Sequence, residues 1–193
     1  MSKFLVETSA RHVHLTEETF KVLFGENATL TIKKELSQPG QYACEERVTV
    51  VGPKKALPGV SILGPYRKAD QVEISLISIS PAGPINLHPG VLAKSPDSLI
   101  TPAIPIDLAS VKEIKEGVIV AKRHIHATVA DAKELNVSNG EIVKVKIETD
   151  GRSLIFDDVV VRVSDSYALA MHIDTDESNA ACCGRVQYGE IVK

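Results

Sequence analysis

The sequence predicts a mostly β protein with short helices, organised as two related small β-barrel domains that arose by internal duplication. Three observations predict this. The chain repeats itself at an offset of 124 − 12 = 112 residues, its apolar residues alternate with period two, and turn signals separate the alternating runs. The repeat is clearest in "SARHVHLTEETFKVLFGENATLTIKKEL" (9–36) against "AKRHIHATVADAKELNVSNGEIVKVKIE" (121–148). A period of this length is too long for a solenoid and corresponds to one small domain per copy.

The elements follow in order. Each copy opens on an apolar strand, "FLVETS" and "GVIVAK", and then gives Arg-His-β-branched-His. Thr16 and Thr128 come next as helix caps, and Thr128 to Asp131 has capping-box spacing. Short helices are predicted over roughly 17–24 and 129–136, ending near Gly25 and Asn139-Gly140. In "EIVKVKIE", Val143, Val145 and Ile147 share one face, the pattern of a half-buried strand, and "TLTIKK" is read as its counterpart. Asp150-Gly151 reads as a hairpin turn into "LIFDDVVVRVS", which "RVTVVGP" matches in the first copy.

Composition removes several function classes. Net charge is −3, so there is no general basic footprint for nucleic acid or anionic membrane. Trp is absent and aromatics make up only 4%, which argues against base stacking. No apolar run is long enough to span a bilayer. Cys44, Cys182 and Cys183 form no CxxC pair and no disulfide framework, which fits a reducing cytoplasm.

The candidate site starts from the histidines. Residues i and i+2 of a strand face the same way, so His12 projects with His14 and His124 with His126. One His-x-His pair is unremarkable; two at equivalent places of a duplicated unit point to divalent-metal ligands in a shared cleft. His172 ends an apolar strand, and buried core histidine and ligand are equal readings there. The following Asp174, Asp176 and Glu177 read as a helix N-terminus. Val72 and Ile74 alternate as a core face, which leaves Glu73 on the opposite side, exposed or functional. Arg67-Lys68 after Gly64-Pro65 is either an anion site or a surface pair.

"SARHVHLT", "GVSILGPYRKADQVEISL", "EGVIVAKRHIHATVADAKEL" and "RVSDSYALAMHIDTDESNAA" closely resemble the phosphate propanoyltransferases (phosphotransacylases) of the propanediol-utilisation type. The resemblance covers the chain except about 77–112. It implies interconversion of acyl-CoA (propanoyl or acetyl) plus phosphate with acyl phosphate plus CoA. It also implies two zinc ions per chain, held by His12, His14, Glu73, His124, His126 and His172, with Arg67 on the phosphate and coenzyme A as substrate. One zinc is expected mainly on His12 and His14, the other on His124, His126, His172 and Glu73. No Ser or Cys nucleophile is needed, so Cys182 and Cys183 are expected to be buried small apolar residues. The topology implied exchanges strands: residues 1–10 join 119–193 as one barrel, and 11–118 make the other. A homodimer is implied as well. No N-terminal extension of the microcompartment-targeting kind is evident, so a cytoplasmic enzyme is expected.

One stretch departs from the family pattern. Residues 77–110 hold six of the ten prolines, at 81, 84, 89, 96, 102 and 105, which excludes a long helix or a central strand there. It is either a divergent surface loop or a compensated reading-frame shift in the gene. Two rival classes remain at this level: a zinc hydrolase using metal-bound water, and a non-catalytic metal-binding double barrel.

Overall fold

A computed structural model describes residues 2–51, 56–75, 85–89, 112–114 and 117–192. The chain is mostly β, with three short helices among the described residues. Six strands close into a barrel in the order β1 (Phe4–Ser9), β13 (Ala170–Asp174), β10 (His124–Ala127), β12 (Leu154–Val163), β11 (Ile142–Ile147), β14 (Gln187–Val192). Alternate residues point inward, so Val6, Ile125, Val145, Val161 and Met171 form its core. The other half is a sheet ordered β8 (Lys112–Ile114), β7 (Ile85–Pro89), β4 (Tyr42–Val51), β5 (Ala56–Gly64), β2 (His12–His14), β6 (Gln71–Glu73), β9 (Val118–Ile119). Val13, Val48, Ile62, Val72 and Phe20 pack its core.

The leading strand of each half is lent to the other. β1 precedes β2 in the chain but pairs with β13 and β14, while β9 precedes β10 but pairs with β6. The equivalence is exact in register. Glu7 of β1 lies beside His172, and Ile119 of β9 lies beside Glu73; the two lent residues are 119 − 7 = 112 apart.

The helices form where caps and apolar spacing require them. In α1 (Glu17–Phe24), Thr16 accepts from the Thr19 N–H, Phe20 and Leu23 bury one face, and Gly25 at φ 102° ends the helix. α2 (Val129–Leu135) has a complete Thr128–Asp131 capping box and ends on left-handed Asn136, one residue earlier than the spacing predicts. Asp174 and Glu177 form a second capping box for α3 (Thr175–Ala180). In the first half Thr19 stands where Asp131 stands in the second; Asp70 supplies the carboxylate instead, bonding the Thr16 N–H at 2.8 Å and the Thr19 hydroxyl at 2.6 Å.

Three expectations are corrected. β3 (Ile32–Glu35), which holds the last three residues of "TLTIKK", is exposed at all four positions and, among the described residues, pairs with β4 alone. It is therefore not the counterpart of β11. By pairing, β4 and β5 correspond to β11 and β12: β5 runs parallel beside β2 as β12 does beside β10. A strand is also present inside the proline-rich stretch. β7 lies between β4 and β8, and its one proline, Pro89, sits at its last position. Apart from Lys112, which opens β8, the rest of 77–112 lies outside the described residues. Finally, Cys182 is exposed and Cys183 half-buried; only Cys44 is buried.

Candidate metal centre

Strand register builds the site. β2 runs antiparallel to β6 with His12 opposite Glu73, and β10 runs antiparallel to β13 with His124 opposite His172. Directly opposite residues share a face, so each His-x-His pair gains one donor from its neighbouring strand. Glu73 and His172 are thus the same position in the two halves. Their separation is 172 − 73 = 99, as is that of Gln71 and Ala170. The offset falls from 112 to 99 because, by strand register, the first half gains 112 − 95 = 17 residues around β3 (Val48 matches Val143) and loses 99 − 95 = 4 between β4 and β5 (Val60 matches Val159).

In the first set, the Glu73 carboxylate lies 3.5 Å from His12 Nε2 and 3.9 Å from His14 Nε2. Donor atoms of His12, His14 and Glu73 all fall within 4.8 Å of one another, a grouping that can hold a metal ion. This corrects the expected partition: Glu73 belongs with His12 and His14, because β6 and not β13 borders β2. In the second set the rings of His124, His126 and His172 have centroids 4.6–5.2 Å apart, and Tyr167 stacks on His126 at 4.2 Å.

The hydrogen bonds fix which nitrogen faces the cleft. His12 Nδ1 lies 2.8 Å from the Ala10 carbonyl and His124 Nδ1 lies 2.8 Å from the Lys122 carbonyl, equivalent partners in the two copies. His14 Nδ1 lies 3.2 Å from the Leu63 carbonyl. A carbonyl only accepts, so each Nδ1 carries the proton and each Nε2 lone pair is left for a cation. His126 Nδ1 is buried with no hydrogen-bond partner among the described residues, as expected where an imidazole awaits an occupant.

Burial favours the neutral form of four of these rings, His14, His124, His126 and His172. Desolvation pulls His14 down to about 3, with Arg67 and His12 adding to the shift, and His172 down to about 3, with His124 and His126 adding. His126 falls to about 4 and His124 is lowered, both chiefly by desolvation. The Glu73 pKa is also lowered overall: burial raises it, but the hydrogen bond to His12 and the nearby Arg67 guanidinium outweigh that and favour the carboxylate. Neutral imidazoles and an ionised carboxylate are the protonation states that bind metal.

Both sets open on one cleft. It is about 30 Å³ in volume and lined by His12, Glu73, His124 and His172, among others from β1, β2, β6 and β13. That is room for one or two small occupants the size of a water or an ion. Glu73 acts electrostatically on both His124 and His172 across it.

Arg67 lies on the turn before β6, where its N–H donates to the Leu15 carbonyl at 2.9 Å. Its guanidinium donates to Gln71 Oε1 at 3.2 Å, and Gln71 Nε2 donates to Glu73 Oε1 at 2.9 Å. Arg67, Gln71 and Glu73 therefore form a chain from solvent to the first set. Lys68 is exposed, and Arg123 is paired with Glu177 at 2.8 Å. Three contributors were not singled out from sequence. Gln71 had no signal beyond sharing a face with Glu73. Arg162, opposite His126 in register, acts on all three histidines of the second set, and only the pairing of β10 with β12 reveals it. Tyr167 lies in a turn without periodicity.

Fold and geometry define a class: a β protein of two strand-exchanging halves, with a candidate metal centre formed where they meet. The family model for phosphate propanoyltransferase matches residues 5–184. The chain is 52% identical over 183 residues to the phosphate propanoyltransferase of Sebaldella termitidis, covering 94% of this chain and 83% of that protein. It is 49% identical over 191 residues to that of Listeria monocytogenes serovar 1/2a, covering 97% and 86%, and 46% identical over 186 residues to that of Thermotoga maritima, covering 92% and 83%. The chain belongs to the phosphate propanoyltransferase family, and is a transferase of the phosphate acyltransferase class. No helix among its described residues is long and apolar enough to cross a membrane.

Proposed function

We propose that the chain is a zinc-dependent phosphate acyltransferase that moves a propanoyl or acetyl group directly between coenzyme A and phosphate. Phosphate oxygen attacks the thioester carbonyl, the C–S bond breaks, and CoA leaves as thiolate; the reverse reaction makes acyl-CoA. The observation that carries this reading is a single cleft lined by two residues of each set, His12 and Glu73 from one half and His124 and His172 from the other.

The donors fit zinc: His₂Glu and His₃ are both sets that hold it with a position left open. His12, His14 and Glu73 would hold one ion, and His124, His126 and His172 the other. When bound, zinc lowers the pKa of a thiol and polarises a carbonyl or phosphoryl oxygen. The chain's own residues do the rest. Arg67 presents a planar fork to phosphate, Gln71 keeps it near Glu73, and the backbone carbonyls of Ala10, Leu63 and Lys122 hold the rings with Nε2 inward. Direct attack requires no side-chain nucleophile. The raised pKa of Cys183, chiefly from burial, is consistent with that.

We further read residues 1–10 with 119–193 as one barrel and 11–118 as the other; Ile119 still pairs with Glu73, so the pairing itself moves the crossing one residue past that boundary. A cytoplasmic homodimer is the form proposed. The test is thioester formation from acyl phosphate plus CoA, run beside elemental analysis. A zinc hydrolase would release free acid without CoA, and a non-catalytic barrel would hold metal without turnover.

A further inference from the structure

The extra residues of the first half around β3 add little to its own core, since β3 is exposed throughout. Yet the turn after β3 contains Gln38, which is only 4% exposed, unusual for this residue type. Its side chain reaches into the other half. Gln38 Oε1 accepts from the Ala168 N–H at 3.2 Å, and Gln38 Nε2 donates to the Ala168 carbonyl at 2.9 Å. The amide thus acts as a strand partner for Ala168, two residues before β13 begins. Its second hydrogen is directed at His172 Nε2, 3.5 Å away. The preceding residue grips the other side of the same ring: Ser37 Oγ donates to Glu7 Oε2 at 2.5 Å, and that oxygen lies 3.8 Å from His172 Nδ1. Glu73, the counterpart of His172, is held within its own strand by Gln71, so no equivalent strap is needed there.

We propose that Gln38 is a positioning residue for His172, tying the turn before β13 and the imidazole itself to the opposite half so that the second donor set keeps its place against the first. The proposal rests on the reading of His172 as a metal ligand. The 3.5 Å contact is long, so the amide hydrogen is a placeholder on the Nε2 lone pair that a cation displaces, while the two bonds to Ala168 persist.

The test uses Gln38→Met, which keeps length and bulk and removes the amide. Zinc affinity is measured by chelator competition in four proteins: native, Gln38→Met, His172→Ala and the double variant. The expected result is an affinity loss of roughly 10–100-fold for one of two zinc equivalents in Gln38→Met, the usual effect of losing an outer partner of a ligand. No further loss should appear when Gln38→Met is added to His172→Ala. kcat should fall in Gln38→Met with KM for phosphate unchanged. Equal zinc affinity in Gln38→Met and native protein, with His172→Ala impaired, overturns the proposal whatever the melting temperature does. Normal zinc binding in His172→Ala overturns the ligand reading beneath it. If Gln38→Met does not fold, Gln38→Asn carries the same comparison, since its shorter amide cannot reach Ala168 and His172 together.

Discussion

At the scale of single residues, the site depends on charge states set by burial. Folding holds His14, His126 and His172 neutral by lowering their pKa values to between about 3 and about 4, against 6.5 in the unfolded chain. Below pH 6.5 the unfolded state therefore binds more protons than the folded one, so metal-free protein should lose stability as pH falls from about 6.5 toward 3. The slope should be roughly 1 kcal/mol per pH unit for each histidine. Urea midpoints of metal-free protein at stepped pH check this, and His172→Gln should flatten the curve. Arg67→Ala should lower kcat/KM for phosphate by roughly 2–4 kcal/mol while leaving zinc content and fold intact, with Arg67→Lys recovering only part. Unchanged phosphate kinetics in Arg67→Ala would make it a surface charge held by Gln71. The histidines were legible in the sequence because a duplicated His-x-His motif has no simple packing explanation. Gln38 and Arg162 were not, because their roles come from contacts that only the folded register creates.

At the scale of elements, alternation and caps were enough to locate α1, α2 and most strands. They failed where the halves differ. A constant offset of 112 aligns "TLTIKK" with β11, whereas pairing makes β4 the counterpart, and the net change of offset from 112 to 99 conceals that Glu73 matches His172. Periodicity reports which face is buried and carries no information on which strand lies alongside. The lent strand β9 offers a direct test. Gly117 enters it at φ +105°, and a Cβ there would lie 2.5 Å from the Asp70 carbonyl oxygen. Gly117→Ala should cost at least about 1–3 kcal/mol from backbone conformation alone, with the clash adding to it. It should also loosen the first donor set, because Ile119 lies beside Glu73. Gly184→Ala, where a Cβ meets nothing within 4 Å, should change stability by no more than about 0.5 kcal/mol. Equal denaturant midpoints for the two variants would show that β9 does not depend on that close approach.

At the scale of the whole molecule, exchange of leading strands makes neither half complete by itself, and the two donor sets face each other because of it. The sets differ in charge. The first includes an ionised carboxylate, while the second is three neutral imidazoles with Arg162 nearby. Chelator should therefore strip the second set first, which His126→Ala would show by abolishing the fast phase; loss of the fast phase in His12→Ala would reverse the order. The central claim is that both sets serve one acyl-transfer site. The most direct measurement is thioester formation from propanoyl phosphate and CoA as zinc is titrated into metal-free protein. The account predicts negligible activity without metal, a rise that is complete only near two zinc equivalents per chain, and no rise in His12→Ala/His14→Ala or His124→Ala/His126→Ala. Full activity in metal-free protein, or in either double variant, would contradict it.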